Sequence, residues 1–219
     1  MTTQTLSAPE VYQGQFGEFT ITQSDRTGVI IYRAGLMVAA LSFAIGSALV
    51  LFSNNPNVVT ALTPLYACFS LALGVSLFTI HIYMAVLHRA LQVFWAIGSI
   101  AAVLVALFSS NEALAVTVYN HPITLFGIGF TFVALTGIYF KEAFCFNRLE
   151  TKVLTLTVPL LLLGHLVNIL PTQWEQILLG VWAILFLVFA LRKTVQVIPA
   201  DIGDKSVFAY LKEQGSAKV

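Results

Sequence analysis

The chain has 219 residues, 58% of them hydrophobic and only 10% charged, with 11 Lys and Arg against 10 Asp and Glu. A soluble domain carries about 25% charge, so this composition excludes an ordinary soluble domain and reads as a helical membrane protein. A net charge of +1 and aromatic residues confined to apolar runs exclude a nucleic-acid footprint.

In chain order, the opening stretch lacks a basic region followed by a short apolar core, so no cleaved secretory signal is expected and the first span serves as a retained insertion signal. FGEFTITQ alternates like a strand, and SDRTG after it carries a turn signal. Six apolar segments then follow, at 33–52, 61–83, 90–108, 122–140, 153–170 and 174–191. Each is near the roughly 20 residues that carry a helix across about 30 Å of hydrocarbon. Pro64 falls in the first turn of the second span and Pro159 inside the fifth, where it favours a kink. ALAVTV, at 113–118, is too short to cross and lies near the interface or extends the third span. Near the other end, Asp204 or Ser206 caps a short surface helix through Lys212.

The expected fold is therefore an all-α bundle of six transmembrane helices, with an N-terminal segment at 1–32, a membrane domain at 33–191 and a tail at 192–219. With six spans, all 11 basic residues fall at one end of the bundle, from Arg26 and Arg33 through Arg89, Lys141, Arg148 and Lys152 to Arg192, Lys193 and the tail. Basic residues are retained on the cytoplasmic side, so both termini are expected there or in an equivalent compartment such as a stroma. Short opposite loops leave no room for an extracytoplasmic catalytic domain.

Two cysteines, Cys68 in a span and Cys145 in a connector, do not make a disulfide framework. His81 and His88 share a helical face if the second span continues that far. His81, His121 and His165 are the candidates for a bis-histidine haem, but His81 stands near the basic end while His121 and His165 approach the other, so the turn and packing readings are preferred. No metal motif such as HExxH occurs, and no nucleotide loop or hydrolase elbow. No cofactor is expected, although the 17 phenylalanines suit pigment or lipid contact. In LLLLGHLVNILP, His165 and Asn168 are three apart and share a face of the fifth span. Polar side chains at that depth turn toward other helices, or line a path for a proton or solute. Small residues such as Gly35, Ala39, Ala40 and Gly74 permit close helix approach.

The connector FKEAFCFNRLETK remains. If the fourth helix continues through it, Lys141, Cys145 and Arg148 share a face with Glu142 at its edge. Phe140, Phe144 and Phe146 suit headgroup depth, beside lipid phosphates held by Lys141 and Arg148. The segment reads either as an interfacial lipid-facing loop or as a surface for docking a partner. A nucleophilic Cys145 would have only Lys141 and Arg148 as cationic helpers.

TGIYFKEAFCFNRLET, with the six-span layout, resembles an uncharacterised integral-membrane family of cyanobacteria and plastid-bearing lineages. That resemblance covers about residues 32–197 and carries no enzyme activity. It implies a thylakoid or cytoplasmic membrane, and a role as an accessory or assembly factor for a photosynthetic complex. The expected partners are membrane lipids and other integral-membrane subunits, a photosystem or its assembly intermediate among them. The alternative expectation is a small-solute or ion transporter with its polar site at His165 and Asn168.

Overall fold

The computed structural model describes residues 11–14, 17–53, 55, 57–108, 112–204 and 210. Among the described residues, a hairpin of β1 (Val11–Gly14) and β2 (Gly17–Thr20) is followed by seven α-helices. These are α1 (Gln23–Phe52), α2 (Val58–Thr79), α3 (Ala85–Phe108), α4 (Leu114–Asn120), α5 (Leu125–Phe146), α6 (Leu149–Leu166) and α7 (Thr172–Thr194). Six are long and apolar enough to cross a membrane, α5 together with the short 3-10 turn Pro122–Thr124 that leads into it. The expected tail helix near Ser206 to Lys212 lies outside the described residues.

Helix ends depart from the apolar runs wherever a specific hydrogen bond sets them. α1 begins at Gln23, ahead of position 33, because Thr22 and Asp25 form a reciprocal capping box, Asp25 N-H on the Thr22 hydroxyl and Thr22 N-H on the Asp25 carboxylate. The SDRTG sequence is thus a helix start and not a turn, while FGEFTITQ does contribute β2. α2 stops at Thr79, with Ile80–Met84 outside any helix, so His81 and His88 are not on one helical face. Pro64 sits in the interior of α2, since that helix begins at Val58. α4 is a separate short helix. α5 runs on to Phe146 and ends at Asn147 in the left-handed conformation, φ 49°. Arg148 already caps α6. The charged connector is therefore a tight corner of two residues, and Arg148 does not share a helical face with Lys141 and Cys145.

Neighbouring helices close a ring in the order α1, α2, α3, α5, α6, α7, with the α2–α3 side the least extensive. Lipid tails are as apolar as leucine, so close packing and polar contacts have to hold such a ring. Gly98 shows the first: a Cβ there would strike the backbone of Thr131, so α3 and α5 approach closer than a side chain permits. Polar contacts supply the second, with Ser70 and Ser99 hydroxyls 2.8 Å apart, Trp95 Nε1 donating to the Ser70 carbonyl at 2.8 Å and Tyr66 and Thr131 hydroxyls 2.9 Å apart. Such bonds contribute about 0.6 kcal/mol each. The middle of the ring is aromatic: Trp182 packs on Phe43 and Phe132, and Phe132 stacks on Phe69. Below that layer, Leu36, Leu77, Ile138, Tyr139, Phe186 and Phe189 are sealed from solvent.

Candidate functional site

Two regions gather the polar chemistry, one at each end of the bundle. At the basic end, Glu142 is 0% exposed on the last turns of α5. Lys193 Nζ donates to its Oε2 at 2.6 Å, while Lys141 Nζ and the Tyr32 hydroxyl donate to Oε1 at 3.1 and 3.3 Å. Glu150, at the start of α6, accepts from Arg192 Nη1 at Oε2, 2.9 Å away, while its Oε1 has the Arg148 Nη1 at 3.8 Å and no hydrogen bond. The adjacent Arg192 and Lys193 in the last turn of α7 thus each grip one carboxylate of the α5–α6 corner. A buried carboxylate is tolerated only when cations and hydrogen bonds replace its water. Lys193 Nζ also lies 4.3 Å from the Phe146 ring centre, a cation–π contact.

These contacts divide the connector residues expected to share a docking role. Glu142 is a correction: it stands in the interior as an ion-pair centre, not at the edge of a surface. Lys141, Phe146 and Arg148 are partly buried around the ion pairs. Phe140 and Phe144 stand outside, 56% and 84% exposed, with rings stacked 6.3 Å apart. Cys145 beside them is an exposed free thiol.

Beside the ion pairs lies a cavity of about 460 Å³ between α1, the Ile80–Met84 turn, the end of α5 and the segment after α7. Arg33, Lys141, Lys193 and His81 contribute to its lining, with Phe140, Phe144, Ile80 and Met84 among its apolar walls.

At the opposite end, His165 from α6 places Nδ1 2.7 Å from Glu175 Oε1 and Nε2 3.2 Å from the Tyr119 carbonyl. Tyr119 closes the triangle by donating its hydroxyl to Glu175 Oε2 at 3.2 Å and stacking on the imidazole. Both ring nitrogens face acceptors. No ring nitrogen is left for iron, and His121 is not part of the triangle. It ends α4, while His81 lies at the other end of the bundle. The three haem candidates are therefore not brought together. A cavity of about 660 Å³ opens beside the triangle, mostly apolar, with Tyr66, Ile128 and Phe132 at its depth and Ser53, Asn55 and Gln176 among its polar lining.

Asn168 does not join His165. α6 ends two residues earlier, and Asn168 adopts the left-handed conformation, φ 53°. Its N-H reaches the His165 carbonyl and the Ile169 N-H the Gly164 carbonyl, both at 3.0 Å. That is a Schellman stop, and Leu170 folds back onto Gly164, where a Cβ would collide with it. The partner that sequence reasoning missed is Glu175. A histidine near the end of one span and a glutamate at the start of the next stand at one depth, and that signal was present.

Residues 75–210, more than half of the chain, match the protein family described as Uncharacterized integral membrane protein (DUF2301). The matched stretch begins within α2 and holds Glu142, Glu150 and Lys193 at one end and His165 and Glu175 at the other. No curated protein and no solved structure matches the chain.

Proposed function

The chain belongs to the DUF2301 family of integral membrane proteins, and from that premise we propose that it is a non-catalytic accessory or assembly factor that docks on a larger membrane complex through the basic end of α5. One observation carries this reading. The stacked, outward Phe140 and Phe144 sit on a helix end that is anchored from inside by Glu142, Lys141 and Lys193. Rigid aromatic side chains on a fixed backbone lose little entropy on contact, which is how interface anchors gain affinity. The resemblance of the corner sequence to proteins of photosynthetic lineages makes a photosystem or its assembly intermediate the proposed partner, in a thylakoid or cytoplasmic membrane. The gathering of basic residues at one end supports placing both termini on the cytoplasmic side.

A photo-crosslinking side chain placed at residue 144 tests the reading in native membranes. Adducts to one integral-membrane subunit are expected; adducts to lipid alone would refute it.

A second reading, a small-solute or ion transporter, rests on the cavity at the His165–Glu175 pair. This cavity and the basic-end cavity share no lining residue, and the sealed layer of Leu36, Leu77, Tyr139 and Phe186 lies in the core between the ends. Transport would require that layer to part, which makes docking the better-supported reading.

A further inference from the structure

Charge does not balance at the basic-end cavity. Arg33, Lys141 and Lys193 all line it, and among the described residues no carboxylate does. Glu142 stands behind the wall and is shared by the two lysines. Arg33 has even less: its Nη1 and Nη2 lie 3.5 Å from the carbonyls of Thr194 and Val197, and its buried Nε has no hydrogen-bond partner. Three cations against one carboxylate leave an excess of two positive charges in a partly enclosed, largely apolar site. Taking cations out of water without counter-ions is costly, so such a site favours an anion. Nearby Glu150 does not compensate, because Arg148 and Arg192 already hold it.

Chemistry of the walls says what kind of anion. The cavity lies where α2, α5 and α7 end, at the basic end of the bundle, and Ile80, Met84, Leu87, Phe140 and Phe144 line it. Phe144 and Met84 are also exposed to the surroundings of the bundle, 84% and 64%, so an apolar chain leaving the cavity continues along the lipid-facing surface. We propose that this cavity is a binding site for one anionic phospholipid, its phosphate held by Arg33 and Lys141 with Lys193 behind them, and its acyl chains lying over Phe140 and Phe144. Basic pockets between helices select anionic headgroups because each lysine or arginine near the surface contributes its own attraction. The site shares Phe140 and Phe144 with the docking reading, but it is tested through its cations in purified protein, so failure of phospholipid selectivity and failure of protein crosslinking at residue 144 are distinguishable.

Native mass spectrometry of the purified full chain in detergent tests it, with phosphatidylglycerol, phosphatidylcholine, oleate and glycerol 3-phosphate as probes. One phosphatidylglycerol per chain should be retained about 25-fold more tightly than phosphatidylcholine, given two uncompensated charges worth about fivefold each in affinity. Arg33→Gln and Lys141→Gln should each weaken phosphatidylglycerol about fivefold and leave phosphatidylcholine unchanged, while Arg33→Lys retains most of the binding. Lys141→Gln keeps the test open if Arg33→Gln fails to fold. Equal retention of the two phospholipids, or no change in the Gln variants, would overturn the proposal. Equally tight binding of oleate, or of glycerol 3-phosphate alone, would overturn it as well, since the site would then be for a carboxylate or for a soluble phosphate.

Discussion

Lys193 Nζ and Glu142 Oε2 are 2.6 Å apart in the interior of the basic end, joining the last turn of α7 to the last turns of α5. Together with Arg192 and Glu150, 2.9 Å apart, this pair fastens the final helix to the corner that displays Phe140 and Phe144. Positioning of the proposed docking surface is therefore an electrostatic matter inside the protein, and the following outcomes depend on it.

Lys193→Met leaves Glu142 buried with only Lys141 and Tyr32. A buried pair broken on one side costs about 3 kcal/mol or more, so thermal unfolding in mild detergent should shift down clearly. Glu142→Leu combined with Lys193→Met should recover most of that loss, because neither charge then needs a partner. Equal destabilisation of the single and double variants would contradict the pairing.

The His165–Glu175 contact, 2.7 Å long between side chains that are 17% and 13% exposed, should appear as coupling. A double-mutant cycle with His165→Leu and Glu175→Gln should give about 1.5 kcal/mol of interaction energy, the scale of a hydrogen bond to a charged group. Additive effects would mean that the triangle with Tyr119 does not form.

Asn168 is expected to act through its backbone alone. Asn168→Gly should leave unfolding within about 0.5 kcal/mol of the parent, since glycine adopts φ 53° freely, whereas Asn168→Ala should cost about 1 kcal/mol. If the Gly variant lost as much as the Ala variant, the side chain would have a polar role after all.

How legible this was follows from which residues decided each feature. The six spans were readable because about 20 apolar residues in a row have few other uses in a chain so poor in charge. Their ends were not, because Thr22, Asn147 and Asn168 set them through hydrogen bonds and left-handed turns that hydropathy ignores. Asn168, polar within an apolar run, marks a helix stop. Helical spacing sees only neighbours and so sets Glu142 at an edge, whereas its main partner, Lys193, comes from a different helix 51 positions on. The acidic half of FKEAFCFNRLETK is paired with cations inside the protein, and Phe140 and Phe144 are its outward aromatic residues.

Sidedness is open to a direct check. In a background with Cys68→Ser and Cys145→Ser, Lys152→Cys should react with a membrane-impermeant maleimide only from the cytoplasmic side, and Glu112→Cys only from the opposite side. Both positions are exposed, at opposite ends of the bundle. Labelling of both from one side would contradict the six-span arrangement, and reversed labelling would invert the proposed orientation.

The central claim is that Phe140 and Phe144 dock the protein on a larger membrane complex. Its most direct test is native gel migration of gently solubilised membranes, comparing the parent chain with Phe140→Ala/Phe144→Ala at equal abundance. The parent should migrate with a larger complex, and the double variant should run alone at monomer size while remaining folded. A parent chain that ran alone in extracts preserving large complexes, or a double variant that still migrated with the complex, would contradict the account.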